Sequence, residues 1–133
     1  FYTTTSKKQA KEWVERRMLE KHSTCGHINV YEFDDKMLPE LNCLIFPEPN
    51  EEWAEFVMAN RTKYNFTHDY DIVYGPVAND RVYLQFGLYE AGAISVDTLI
   101  RELKTYKLID QYLFHTDKAL TALRFIESIK IEL

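Results

Sequence analysis

Cysteine is scarce: Cys25 and Cys43 are the only two in 133 residues. Two thiols are too few to staple a small secreted scaffold, so a reduced, cytoplasmic setting is the expectation. Four glycines and four prolines leave no Gly/Ser/Pro linker. With no internal repeat and no low-complexity tract, residues 1–133 read as a single domain. No stretch approaches the roughly 18 uninterrupted apolar residues of a membrane-spanning helix, so no membrane partner is expected. The patterns GxxxxGK[ST], GxGxxG and GxSxG are absent, which removes local support for a phosphate-loop NTPase, a dinucleotide-binding Rossmann unit or a serine hydrolase. Excess positive charge is also lacking. The net charge is −5, so non-specific binding to phosphate backbones is not the main task. The chain opens on Phe1 rather than Met, and Phe1-Tyr2-Thr3 reads as the middle of a strand. A fragment or processed product is the expectation, and a signal segment upstream cannot be judged.

What the chain has is a globular composition, with 46% apolar and 28% charged residues. A chain of this length buries roughly two thirds of its surface without staples. Phe1 to Thr4 is β-prone. Ser6 reads as a helix N-cap with Gln9 as its capping-box partner. Ala10, Trp13, Val14 and Met18 then follow one helical face to about His22. Ile28–Phe33 and Leu41–Phe46 alternate as strands, the second stopped by Pro47 and Pro49. Asn50 caps a helix to about Arg61, with Trp53, Phe56 and Val57 as its buried stripe. Asp71–Tyr74 reads as a buried strand ended by Gly75-Pro76. Asn79 caps a helix to Glu90, and Ser95 caps one with Val96, Leu99, Ile100 and Leu103 inward. Gln111–His115 is a strand, Thr116 opens a short helix, and Phe125–Ile131 is a final strand. Strands and helices mix without a βαβ rhythm, which points to an α+β fold.

Few residues offer chemistry. His22, Cys25, His27 and Cys43 contain zinc-type ligands, but the His-x-x-Cys-x-His spacing is crowded and has no second tight pair. No metal is expected. Asp69, Asp71 and Asp80 lack a metal-loop spacing and read as structural. Residues 1–21 hold six basic and three acidic side chains, +3 against −8 for the remainder. Such a helix either favours a pyrophosphate beside it or is a solvated face with pairs such as Glu12/Arg16. Tyr2 and Trp13 lie eleven residues apart, one on a strand and one on the second turn of a helix. They either flank a slot for a flat heteroaromatic ring, or Trp13 is the largest member of the helix's core stripe.

The segment Phe1-Tyr2-Thr3-Thr4-Thr5-Ser6-Lys7-Lys8-Gln9-Ala10-Lys11-Glu12-Trp13 resembles the second motif of ADP-ribosyltransferases of the diphtheria-toxin and poly(ADP-ribose)-polymerase type. In that motif two aromatic rings sandwich the nicotinamide of NAD. Asp110-Gln111-Tyr112-Leu113-Phe114 resembles their third motif, with Gln111 at the position of the catalytic Glu. The block from Tyr70 to Asp80, with Lys118-Ala119-Leu120 further on, is similar to a bacterial and phage family that is a divergent branch of this fold. The resemblance implies two small packed sheets around a cleft, with flanking helices. It implies NAD as substrate, Gln111 and Tyr2 as catalytic residues, and Tyr2, Thr3 and Trp13 as the residues that contact NAD. The partners implied are a macromolecular ADP-ribose acceptor and, for a toxin or effector, an antitoxin protein. The first motif, a strand with a His or Arg, is expected upstream of Phe1. The rival expectations are an inactive fold acting as a protein-interaction module and a small domain that binds another planar ligand.

Overall fold

A computed structural model describes residues 1–62, 67–106 and 108–132. The chain runs β1 (Tyr2–Thr4), α1 (Lys7–Glu20), β2 (Cys25–Phe33), a 3-10 turn (Asp35–Glu40), β3 (Cys43–Ile45), α2 (Glu51–Thr62), β4 (Ile72–Pro76), α3 (Asp80–Glu90), α4 (Val96–Thr105), β5 (Asp110–Phe114), α5 (Asp117–Leu120) and β6 (Leu123–Glu132). Four strands form one sheet in the order β1-β5-β4-β3, and β2 pairs with β6 in a two-stranded ribbon. The fold is α+β, as the sequence pattern implied, and it has two small sheets.

Alternation along the strands gives the four-stranded sheet two different faces. Val73, Leu113 and Leu44 point to the helices, where Trp53, Phe86, Leu99 and Leu103 form the larger core. Leu99 and Leu103, one turn apart on α4, are both fully buried. Ile72, Tyr112 and Phe114 point the other way, onto Leu41 and Ala119 and the partly buried Phe33 and Leu123. The ribbon covers this second face through aromatic edges. Phe33 lies against Tyr112 and Phe114 with ring centroids 5.3 and 5.5 Å apart.

Local chemistry sets the boundaries. The expected caps form: Gln9 N–H donates to Ser6 Oγ at 3.1 Å, Trp53 N–H to Asn50 Oδ1 at 2.8 Å, and Val82 N–H to Asn79 Oδ1 at 3.1 Å. Thr98 and Ala119 N–H groups likewise bond Ser95 and Thr116. The reciprocal half of the capping box does not form. The Gln9 side chain turns to Thr4, and the Ser6 N–H goes to the Thr4 hydroxyl instead.

Four further expectations are corrected. The strand expected over Leu41–Phe46 is only Cys43–Ile45, because Leu41 closes the preceding 3-10 turn with its N–H on the Leu38 carbonyl. Gly75-Pro76 does not end β4 but completes it, paired with Gln111 and Asp110. Val77 N–H still bonds the Ile109 carbonyl at 2.8 Å, so the ladder runs past the proline. Gly75 is needed for close approach, since a Cβ there would sit 3.0 Å from Phe46 Cβ. Trp13 is not a core residue, being 58% exposed, and Met18 is the buried member of its helix. Glu12 lies 3.9 Å from Lys8 rather than against Arg16, whose guanidinium is 5.8 Å from the Trp13 ring centre.

Candidate functional site

The register between β1 and β5 decides which of the sequence-marked residues meet. Tyr2 lies opposite Leu113, Thr3 opposite Tyr112 and Thr4 opposite Gln111. Paired residues share a face, so Tyr2, Thr4 and Gln111 project from the same side of the sheet. Tyr2 and Gln111 are diagonal neighbours there, a separation of about 7–8 Å on an antiparallel pair. On its other side Gln111 faces Gly75, which has no side chain to cover it. Gln111 is half-buried, and its carboxamide makes no hydrogen bond among the described residues. Tyr2 is 75% exposed. Its ring and hydroxyl also have no partner among the described residues.

Thr3 is separated from this group. It projects from the opposite face and donates its hydroxyl to the Tyr112 carbonyl at 2.9 Å. Asp110, the carboxylate next to Gln111 in sequence, also points away. It accepts the Tyr74 hydroxyl at 2.9 Å, and that bond holds the Tyr74 phenol above its ordinary range. Asp110 therefore does not supply the charge that Gln111 lacks.

Trp13 is connected through α1. The Thr4 hydroxyl donates to Gln9 Oε1, and Gln9 stands one turn before Trp13 on the same helical face. Through Gln9 the first turn of α1 is thus tied to the Thr4–Gln111 rung. Trp13 also lines an open groove of about 340 Å³ between α1 and β2, with Arg17 and Lys21 at its rim and Val14, Met18 and Gly26 among its walls. That volume is at the lower end of the range for ligand clefts. Gly26 permits the close packing of α1 on β2, because a Cβ there would lie 2.5 Å from Val14 Cγ1. No ring contact joins Tyr2 and Trp13 among the described residues. The arrangement thus offers one exposed ring, Tyr2, and an uncommitted carboxamide, Gln111, on one side of the β1–β5 rung, with the exposed Trp13 ring on the neighbouring helix at the groove against the ribbon.

The other polar groups are committed to the fold. Asp71 accepts the Asn42 N–H at 2.8 Å and the Thr116 hydroxyl at 2.7 Å, and these two bonds hold its carboxyl below the usual carboxylate range. His115 is kept below the ordinary imidazole value by burial and by the neighbouring His68, whose ring centre is 4.5 Å away. Burial, with Asp71 nearby, pushes the Cys43 thiol up. Cys43 is on β3 of the sheet, whereas Cys25 is exposed at the start of the ribbon. Among the described residues no group of three or more His, Cys, Asp or Glu is placed to hold a metal. Among the described residues no helix is long and apolar enough to cross a membrane.

Sequence reasoning singled out Tyr2, Trp13 and Gln111 but missed Thr4. Its role depends on strand register, which no local pattern encodes. Gln9 was legible only as a cap.

No curated protein and no solved structure matches this chain. A family model described as "Protein of unknown function (DUF3990)" matches residues 1–125, nearly the whole chain, and the chain belongs to that family.

Proposed function

We propose that this protein is an NAD-dependent mono-ADP-ribosyltransferase-like domain, acting at the face of the β1–β5 pair. The observation that carries the reading is the register. Two segments more than a hundred residues apart, each marked by its resemblance to a transferase motif, are adjacent antiparallel strands, and Tyr2 and Gln111 share a face. The exposure of Trp13, on the helix that Gln9 ties to the same rung, supports it further.

In this reading the Tyr2 and Trp13 rings flank the nicotinamide, each contributing stacking of about 0.5–1.5 kcal/mol. The bond between the nicotinamide nitrogen and ribose C1′ breaks, nicotinamide leaves with the electron pair, and a nucleophile on a macromolecular acceptor bonds C1′. Positive charge builds on the ribose, as in glycoside cleavage. The Gln111 carbonyl accepts the ribose 2′-hydroxyl and orients it. A neutral amide does this without the full charge of a carboxylate, and one preorganised electrostatic contact is worth about 2.7–4 kcal/mol. Slow turnover is the consequence. A role as a toxin or effector, held by an antitoxin protein, follows from the same resemblance.

The test is nicotinamide release from NAD. Release that falls in Tyr2→Ala and Gln111→Ala, and rises about 10²–10³-fold in Gln111→Glu, supports the reading. A second reading, a non-catalytic interaction module, is favoured by the neutral amide at position 111. Absence of release from both the wild type and Gln111→Glu, with no calorimetric heat on adding NAD, selects the module. A thermal shift with an unrelated planar ligand and none with NAD selects a different small-molecule binder.

A further inference from the structure

A second concavity lies past Gln111, on the side away from Tyr2. Val77 and Ile109 continue the Gln111 face, two residues beyond Gly75 and two before Gln111, and are joined by the bond from the Val77 N–H to the Ile109 carbonyl. With Leu108, Gln9 and Asn79 they line an open pocket of about 110 Å³. An apolar cavity of about 150 Å³ holds benzene, so this pocket has room for a slightly smaller ring. Its walls are three aliphatic side chains and two carboxamides, and none of the five is ionisable.

Both carboxamides are oriented by their neighbours. The Thr4 hydroxyl oxygen accepts the Ser6 N–H at 3.1 Å, and its single proton goes to Gln9 Oε1. Turning the Gln9 amide over would leave that proton without an acceptor. Asn79 Oδ1 accepts the Val82 N–H, which only the oxygen can do. In each amide the oxygen already accepts one bond and the NH₂ group makes none among the described residues. The pocket is therefore apolar along its walls and offers donors without a charge.

We propose that this pocket binds a small, uncharged, planar group presenting a carbonyl oxygen, such as an amide or lactam. The ring packs on Val77, Leu108 and Ile109, and the oxygen accepts from the Gln9 and Asn79 NH₂ groups. A carboxylate also offers acceptors but brings a charge that no lining cation offsets, and a cation meets two donors. The proposal needs neither Tyr2 nor Trp13, so it goes beyond the transferase reading and does not depend on it.

The experiment titrates 2-pyrrolidinone, and in parallel the cation pyrrolidinium, into the ¹⁵N-labelled full chain while the side-chain NH₂ signals are followed. The expected result is saturable shifts of the Gln9 and Asn79 signals with the lactam and none with the cation. Gln9→Glu and Asn79→Asp each keep the oxygen used by Thr4 or Val82 and replace the NH₂ donor with a charged acceptor oxygen, so the helix caps persist. Each is expected to weaken lactam binding about two- to tenfold. The double variant is expected to take up pyrrolidinium instead. The proposal is overturned if neither signal moves up to the solubility of the lactam, if both probes shift them equally, or if both single variants bind as the wild type does. It is equally overturned if shifts are confined to Tyr2 and the Trp13 indole. Loss of the NAD reading with the lactam shifts intact leaves the pocket standing.

Discussion

The two ends of the β4–β5 pair are built on opposite principles. At the end where Ile72 meets Phe114, the polar groups of Asp71 are all spent. The Asp71 carboxylate accepts from Asn42 and Thr116, the Asp71 N–H donates to the Asn42 carbonyl, and the Asp71 carbonyl accepts from His115. At the other end, Gln111, Gln9 and Asn79 each retain a carboxamide NH₂ with no partner among the described residues. Asn79 is exposed and Gln9 and Gln111 are half-buried, so these groups stand within reach of solvent and of a ligand. The difference locates the surface on which a ligand is expected.

The open end stays in place because it is backed by the core. Trp53 is 2% exposed, packs on Phe86 and donates its indole N–H to the Pro76 carbonyl at 3.2 Å. Trp53→Ala removes the largest fully buried side chain and leaves that carbonyl unpaired. A loss of about 3–5 kcal/mol is expected in urea unfolding. Tyr2→Ala, on the same sheet but exposed, is expected to change stability by less than about 1 kcal/mol. Equal losses from the two substitutions would erase the distinction between a buried backing and an exposed working face.

A smaller effect probes how tightly the two meet. Gly75 lies opposite Gln111, and a methyl group there would press on Phe46 Cβ at 3.0 Å. Gly75→Ala is expected to cost about 1–3 kcal/mol by overpacking and, because Gln111 lies on the adjoining rung, to disturb the nicotinamide release proposed above as well. A variant as stable as the wild type would mean that Phe46 yields freely and that the close approach does not require glycine.

The sequence carried the secondary structure well because caps and periodicity are local. Asn50, Asn79, Ser95 and Thr116 each announce a helix start through their own side chains, and Leu99 and Leu103 mark a buried face by spacing alone. It was misleading where tertiary packing overrode a local sign. Gly75-Pro76 has the composition of a turn, yet the glycine is there for Phe46 and the proline is the last residue of the strand. Trp13 has the spacing of a core residue, yet α1 rests on the ribbon through Met18 and Val14, and the indole is left outside. The candidate site was legible only in part. Tyr2 and Gln111 are marked by motif resemblance, but the Thr4–Gln9 link and the Asn79 donor arise from pairing between distant segments, where local pattern says nothing.

The smallest effects separate the committed end from the uncommitted one by their pH dependence. The Asp71 carboxyl is held below its ordinary value by the Asn42 N–H and then by the Thr116 hydroxyl. Its contribution to stability is therefore complete above the unfolded carboxylate value of about 3.9, and it is lost as pH falls through the lower folded value. The gap in unfolding free energy between the wild type and Asp71→Asn should be constant near neutrality and shrink in acid. Gln111→Ala removes a group that does not titrate and has no hydrogen-bond partner among the described residues, so its gap should be within about 0.5 kcal/mol and flat with pH. If the Asp71→Asn gap is flat as well, the carboxylate does not clasp β3, β4 and α5 together. If the Gln111→Ala gap is large, the amide is held by the fold after all, and it would not be available to orient a ribose hydroxyl.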